Sequence, residues 1–328
     1  MARIYTDVRC LDHVSPRGYP EKPERLAGIL DHLRGLDRPE DPWEVLDERA
    51  AGARDRAVAA VLALHDERYV ERFRNAAERG DALLDSADNP LSPGTWEAAW
   101  AAVEATLAAA DHVAATPAAP RAFAAVRPPG HHAERATAMG FCFFNNVAVA
   151  AEHLRRHHGA GRVAIFDFDV HHGNGTQHLF EDRADVFYAS THQYPFYPGT
   201  GAADERGLGE GEGATLNVPL PAGTGDEEYR EVIAERILPA LRRFAPEVLL
   251  LSAGFDAWKH DPLGGMEVTE DGFRHWGEQL RALADEICGG RVLAVLEGGY
   301  DLASLPRLVE AHLRGLEGLS SSHIEESR

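Results

Sequence analysis

Five short runs of Val, Ile, Leu, Ala and Phe recur along the chain, at 122–126, 163–168, 186–189, 248–251 and 292–296. This recurrence limits the fold more than any other feature. An apolar run without polar alternation has both faces buried, as strands of a parallel sheet do when helices cover both sides. Parallel neighbours need long crossovers, and the segments 146–158, 226–244, 269–288 and 302–318 can supply them as helices. Thr269 and Asp226 are expected N-caps. Segment 23–36, with proline just inside its start, and the Ala-rich segment 93–115 read as further helices flanking the sheet. The expectation is an α/β fold: a single-domain, doubly wound parallel sheet with helices on both faces, spanning 1–319, followed by a polar tail at 320–328.

Composition narrows the function classes. With 33 Lys plus Arg against 53 Asp plus Glu, the net charge of −20 argues against a phosphate-binding surface and so against nucleic acid as a partner. No stretch of about 18 uncharged apolar residues occurs, and the first residues lack a signal-peptide pattern, so no membrane partner and a cytoplasmic setting are expected. Cys10, Cys142 and Cys288 form no C-x-x-C pair and read as core thiols. Histidine is plentiful at 17, several of them in tandem, which raises metal or proton-transfer chemistry.

Two glycine- and proline-containing segments, 127–140 and 193–213, fit no regular element, and both follow predicted strands. Ligands of an open parallel sheet bind beyond the carboxyl ends of its strands, so these loops should border a site.

The strand ends carry the chemistry. Run 163–168 leads through Asp167 and Asp169 to His171 and His172; alternation sends Asp167, Asp169 and His171 to one side, where a carboxylate and an imidazole can grip one cation. Asp169 as a helix cap and His171 as a loop residue is the competing reading. Run 248–251 ends at Asp256, which either completes a ligand set with an open coordination position, as in catalytic zinc, or is a turn residue. Run 122–126 leads into RPPGHH, whose stiff turn presents His131 and His132 for proton transfer. The pair His157 and His158, before Gly159 at a helix end, reads instead as favouring the helix dipole. Run 292–296 ends in Glu297, Gly298, Gly299 and Tyr300, the last either an oxyanion donor or a packed aromatic. An acidic stretch before Pro90, with Asp81, Asp85 and Asp88, offers either a substrate rim formed by Asp85 and Asp88 or a solvated loop.

The strings RPPGHHAE, MGFCFFNN, DFDVHHGNGT, SAGFDAWKHDPLGG and EGGY, in this order, resemble the histone deacetylase and acetylpolyamine amidohydrolase family, and PEKPERL near residue 20 resembles its first helix start. The resemblance implies an arginase-like α/β fold and one zinc ion held by Asp169, His171 and Asp256. It implies His132 as general base and acid, His131 as its electrostatic partner oriented by Asp167, and Tyr300 as donor to the polarised carbonyl. It further implies a structural potassium ion near Asp167, Asp169, His171 and Ser190. Gly140 and Phe141 would line a narrow tunnel opposite Tyr197, with Leu263 nearby. Asn174 stands where many members place aspartate behind the second histidine, as the class II-like branch does, which should leave His132 less basic.

The implied substrates are acetylated lysine side chains or acetylated polyamines. Leu263 is apolar where a polyamine-selective member carries glutamate, which favours acyl-lysine. Two other readings compete: a ureohydrolase-like binuclear manganese enzyme, which would need more carboxylates than Ser252 to Asp256 supply, and a non-catalytic acetyl-group reader, which would have no use for His131, His132 and Tyr300.

Overall fold

Among the described residues eight strands, all parallel, form one sheet: β1 (Arg3–Tyr5), β2 (Glu44–Leu46), β3 (Arg121–Ala124), β4 (Val163–Asp167), β5 (Val186–Gln193), β6 (Thr215–Leu220), β7 (Val248–Ala253) and β8 (Val292–Leu296), in the order β2-β1-β3-β8-β7-β4-β5-β6. The computed structural model describes residues 2–36, 44–46, 52–117 and 120–319, so the predicted tail at 320–328 lies outside the described residues. Every residue of β4, β5, β7 and β8 is buried, which is why these strands carry the apolar runs of the sequence, β5 only in its first half before Ser190, Thr191, His192 and Gln193. The four strands expected to carry chemistry, β3, β8, β7 and β4, are neighbours at the centre of the sheet, so their carboxyl ends converge.

Two groups of helices cover the sheet. Helices Thr95–Ala115 and Asn146–His158 pack on each other and on β3, β4 and β8, while Glu270–Ile287 and Leu305–Glu317 pack on each other with Pro23–Gly35 alongside. In the second group Trp276 and His312 lay their rings against Phe168, just beyond β4. Among the described residues no helix is long and apolar enough to cross a membrane, and Cys10, Cys142 and Cys288 are free and buried.

Thr269 caps its helix as expected, accepting from the Gly272 amide. Asp226 does not: Gly225, in extended conformation, is the N-cap, and the Glu228 side chain reaches back to its amide at 3.2 Å. The Asp226 carboxylate accepts instead from the Thr269 amide (2.9 Å) and hydroxyl (2.5 Å), joining two helix starts. The segment 226–244 is helical throughout but loosens to a π turn over Ile233–Ile237, ahead of Pro239, which has no amide proton to continue the ladder. Strands β1, β2 and β6 escape sequence reading. The first two have only three residues each, and β6 is an edge strand that tolerates Asn217 and Pro219.

Candidate active site

Beyond β4 the chain bends over 169–171, where the Asp169 amide donates to Asp167 Oδ1 (3.1 Å) and the His171 amide to Asp169 Oδ1 (2.9 Å), and this brings Asp169 and His171 together. His171 Nδ1 lies 3.0 Å from Asp169 Oδ1 and 3.1 Å from Asp256 Oδ2, the latter delivered by the turn after β7. The remaining carboxylate oxygens are anchored to backbone: Asp256 Oδ1 accepts from the Val170 amide (2.9 Å) and Asp169 Oδ2 from Gly298 (2.8 Å). Such close backbone approach explains two glycines. A Cβ at Gly254 would stand 2.1 Å from Asp169 Oδ2, and one at Gly298 would stand 2.2 Å from Asp256 Oδ2.

These three side chains, all buried, place ligand atoms within 4.8 Å of one another. Burial opposes charge on His171, yet the hydrogen bonds it donates to Asp169 and Asp256 raise its imidazole to about 10. Burial and the neighbouring Asp169 push Asp256 up, whereas His131 and His171 hold Asp169 down against burial. Two buried carboxylates around one imidazole favour a cation at this point, and the three side chains could serve a divalent ion as its protein ligands. The donor set N, O, O suits zinc with one position left open.

The tandem histidines sit on the loop after β3. Glu297 Oε2 accepts from the amides of Gly130 (2.7 Å) and His131 (3.1 Å), which fixes that loop from the end of β8. Burial raises the Glu297 carboxyl to about 7. Behind the two rings stand different groups. His131 Nδ1 is 3.0 Å from Asp167 Oδ2, which also accepts from the Tyr188 hydroxyl, while His132 Nδ1 is 2.7 Å from Asn174 Oδ1. Although burial works against it, Asp167 and Asp169 raise His131 to about 10. Burial, then the charges of His131 and His171, push His132 well below its ordinary value. One ring is thus held as a cation and its neighbour as a neutral base.

Tyr300 follows β8 through Gly298 and Gly299. Arg25, buried, donates to the carbonyls of Gly299 and Glu297 (2.6 Å each) and lies 4.7 Å over the Tyr300 ring, while Asp261 accepts from the Tyr300 amide at 2.6 Å. Burial raises the Tyr300 phenol well above its usual value, so it remains a donor. Burial likewise raises the Asp261 carboxyl to about 7. The roles of Arg25, Asp261 and Glu297 as supports were not read from the sequence. Their partners are main-chain atoms or lie far along the chain, and only PEKPERL and the acidic residues themselves hinted at them.

A cavity of about 470 Å³ opens onto His132, His171 and Tyr300 and is walled by Gly140, Phe141, Tyr197 and Leu263 together with Tyr19, Pro20, Ala87, Asp88 and Phe196. Phe196, missed although it adjoins Tyr197, stacks on His171 with centroids 5.3 Å apart, and Tyr197 stands edge-on to His132. At the mouth the Tyr197 hydroxyl donates to Asp88 (2.9 Å). Asp85 departs from the expected rim: its carboxylate is taken by Arg72 and by the Ala138 amide, and it does not line the cavity. Ser190 stands opposite Asp167 in the β4–β5 register.

Residues 19–316 match the histone deacetylase domain. The chain is 41% identical over 332 residues to histone deacetylase 14, chloroplastic, of Arabidopsis thaliana, covering 97% of this chain and 77% of that one. It is 41% identical over 309 residues to the histone deacetylase-like amidohydrolase of Pseudomonas aeruginosa, covering 93% and 78%. Its fold superposes on the crystal structure of acetylpolyamine aminohydrolase from Burkholderia pseudomallei with a TM-score of 0.82 and 32% identity, covering 98% of this chain and 100% of that one. A match this continuous spans all four strand ends that build the cavity, and on it the chain belongs to the histone deacetylase family of hydrolases.

Proposed function

We propose that the protein is a zinc-dependent deacetylase that hydrolyses the acetamide of acetylated lysine side chains or acetylated polyamines. The observation that carries this is the single cavity opening at once onto His132, His171 and Tyr300, a proton acceptor, a metal ligand and a hydroxyl donor. Zinc held by Asp169, His171 and Asp256 supplies a Lewis acid that polarises the amide carbonyl and acidifies water. His132 bonds Asn174 through Nδ1, which leaves Nε2 as the free nitrogen that takes a proton from water and returns it to the departing amine. His131, kept cationic by Asp167, adds fixed positive charge beside the developing negative charge. Tyr300 donates its hydroxyl to the carbonyl oxygen as the carbon becomes tetrahedral. A potassium ion near Asp167, Asp169, His171 and Ser190 would neutralise the carboxylate side of this assembly.

The aromatic walls Phe141, Phe196 and Tyr197 suit a slim alkyl chain ending in an acetamide. The apolar Leu263 favours acyl-lysine over a polyamine, whose second cation would find no carboxylate at that position. Among the described residues no further group of three ligands adjoins the first, which leaves the binuclear manganese reading without support. The retained His131, His132 and Tyr300 likewise disfavour a non-catalytic reader. The test is turnover of acetyl-lysine peptides, longer acyl-lysines, acetylputrescine and acetylspermidine by one preparation, before and after chelation and after readdition of stoichiometric zinc. Activity lost on chelation and restored by zinc is expected; full turnover by rigorously metal-free protein overturns the proposal.

A further inference from the structure

Helices Thr95–Ala115 and Asn146–His158 each lead into a parallel strand, so they pack with their C-termini at the same end. There Asp111 meets two histidines of the other helix. His153 Nε2 and His158 Nε2 each lie 2.7 Å from one and the same oxygen, Asp111 Oδ1. The other oxygen is engaged separately, by Arg56 at 3.0 Å. His157 adds a third imidazole, its ring centroid 4.9 Å from that of His153. His153 is buried, whereas the side chains of His158 and Asp111 are 27% and 30% exposed, so the cluster opens to solvent on one side.

We propose that Asp111, His153 and His158 form a second zinc site, which clips these two helices together at the end of the molecule away from the catalytic cavity. Their ligand atoms lie within 4.8 Å of one another, from two imidazoles and a carboxylate, a donor set that selects zinc over the hard cations. Zinc–ligand bonds of about 2.0–2.1 Å in tetrahedral array separate the donors by roughly 3.3 Å. The observed 2.7 Å contacts therefore need to open by only about half an ångström, which the exposed His158 can provide at the helix end. Solvent fills the fourth position.

The helix ends favour a cation here, opposed by the Arg56 guanidinium on the second Asp111 oxygen. The C-terminal turns of both helices, each carrying partial negative charge, converge on the cluster. The nearby Arg155 and Arg156 are already paired with Glu152, and Arg155 also with Asp185. The site is not part of the catalytic machinery. Asn146, at the opposite end of its helix, donates to Pro128 of the histidine loop, and the 13-residue helix then runs about 20 Å away from it. The sequence reading gave His157 and His158 only to the helix dipole; Asp111, 47 residues before His158, is the partner it could not supply.

The proposal is tested on tag-free full-length protein by equilibrium dialysis against zinc, with metal counted per chain, for wild type, His158→Gln and Asp111→Asn. Wild type should saturate at two zinc ions, and each variant should retain one while the affinity of the second falls by about tenfold or more. Added zinc should raise the melting temperature of one-zinc wild type and leave that of His158→Gln unchanged, with deacetylase turnover equal in both. Because His158 is partly exposed, its replacement leaves the core intact. Saturation of wild type at one zinc, or a second zinc bound equally well by both variants, overturns the proposal.

Discussion

Gly140→Ala tests the positioning of His132, the proposed proton carrier, with a single methyl group. Gly140 has φ of +53°, and an alanine held there costs roughly 1–2 kcal/mol in backbone strain. Its Cβ would stand 2.4 Å from His132 Cδ2 and 2.9 Å from Cγ. Carbon atoms rest at about 3.5–4.0 Å, so the ring must retreat by about 1 Å. It has little room to do so: Nδ1 is tied to Asn174 at 2.7 Å, His131 lies 4.0 Å away by centroid, and Tyr197 stands edge-on at 5.3 Å. Displacing a reacting group by about 1 Å costs about 10²-fold, or roughly 2.7 kcal/mol of barrier. The assay is kcat and KM on an acetyl-lysine peptide, with zinc content and thermal melting measured on the same samples. Gly80→Ala is the control for strain alone, since φ is +71° there and nothing lies within 4 Å of the added methyl. It should lose comparable stability and no activity. If Gly140→Ala turns over within about threefold of wild type at equal zinc content, far short of the loss expected for a misplaced reacting group, His132 is not the proton carrier whose position matters.

Three further outcomes follow from the same geometry. Tyr300→Phe should lower kcat by about 10²- to 10³-fold while sparing KM and zinc content, because the hydroxyl bond strengthens only as charge develops; a kcat near wild type returns the residue to packing. His132→Ala should lose more activity than His131→Ala, on the scale of about 10²- to 10⁴-fold, with both retaining metal; the opposite order at saturating substrate reverses the assignment. Asn174→Asp places a negative charge 2.7 Å from His132 Nδ1, which raises the pKa of that ring. The ring then stays protonated to higher pH, so the acid limb of kcat/KM should move upward by about one unit or more, and an unmoved limb would mean that it reports another group.

How much of this was legible depends on how far apart the partners lie in the chain. Strand β8 and the helix Asn146–His158 have the bounds expected of them, because β8 is a buried run closed by a polar turn and the helix is buried to Leu154 and closed by Gly159 after a basic last turn. Asp169, His171 and Asp256 were readable because a carboxylate at the end of a buried strand has no packing reason to be there. Arg25 was not, since its partners, the carbonyls of Gly299 and Glu297, are 274 and 272 residues away and have no side-chain signature. Asp85 and Asp88 look alike in sequence. Only the fold decides that Asp85, at a φ of +63°, turns to Arg72 and Ala138 while Asp88 meets Tyr197 at the cavity mouth.

The two adjacent histidines show how the fold divides the work of chemically identical side chains. Asp167 faces His131 with a carboxylate, which burial pushes up and His131 pulls back down; Asn174 offers His132 only an amide oxygen. With their centroids 4.0 Å apart, a cationic His131 makes a second positive charge on His132 costly, so the first assignment enforces the other. The result is a weak base but a strong acid. Such a group takes a proton readily only from water that is already acidified, and surrenders it readily to an amine. Asn174 softens the asymmetry: its Nδ2 donates to Glu134 at 2.5 Å, which polarises the amide and makes Oδ1 a better acceptor for the His132 Nδ1 proton. Glu134 is in turn held by His178 at 2.8 Å, so a chain of hydrogen bonds runs from this partly exposed pair through Asn174 to the buried His132 ring.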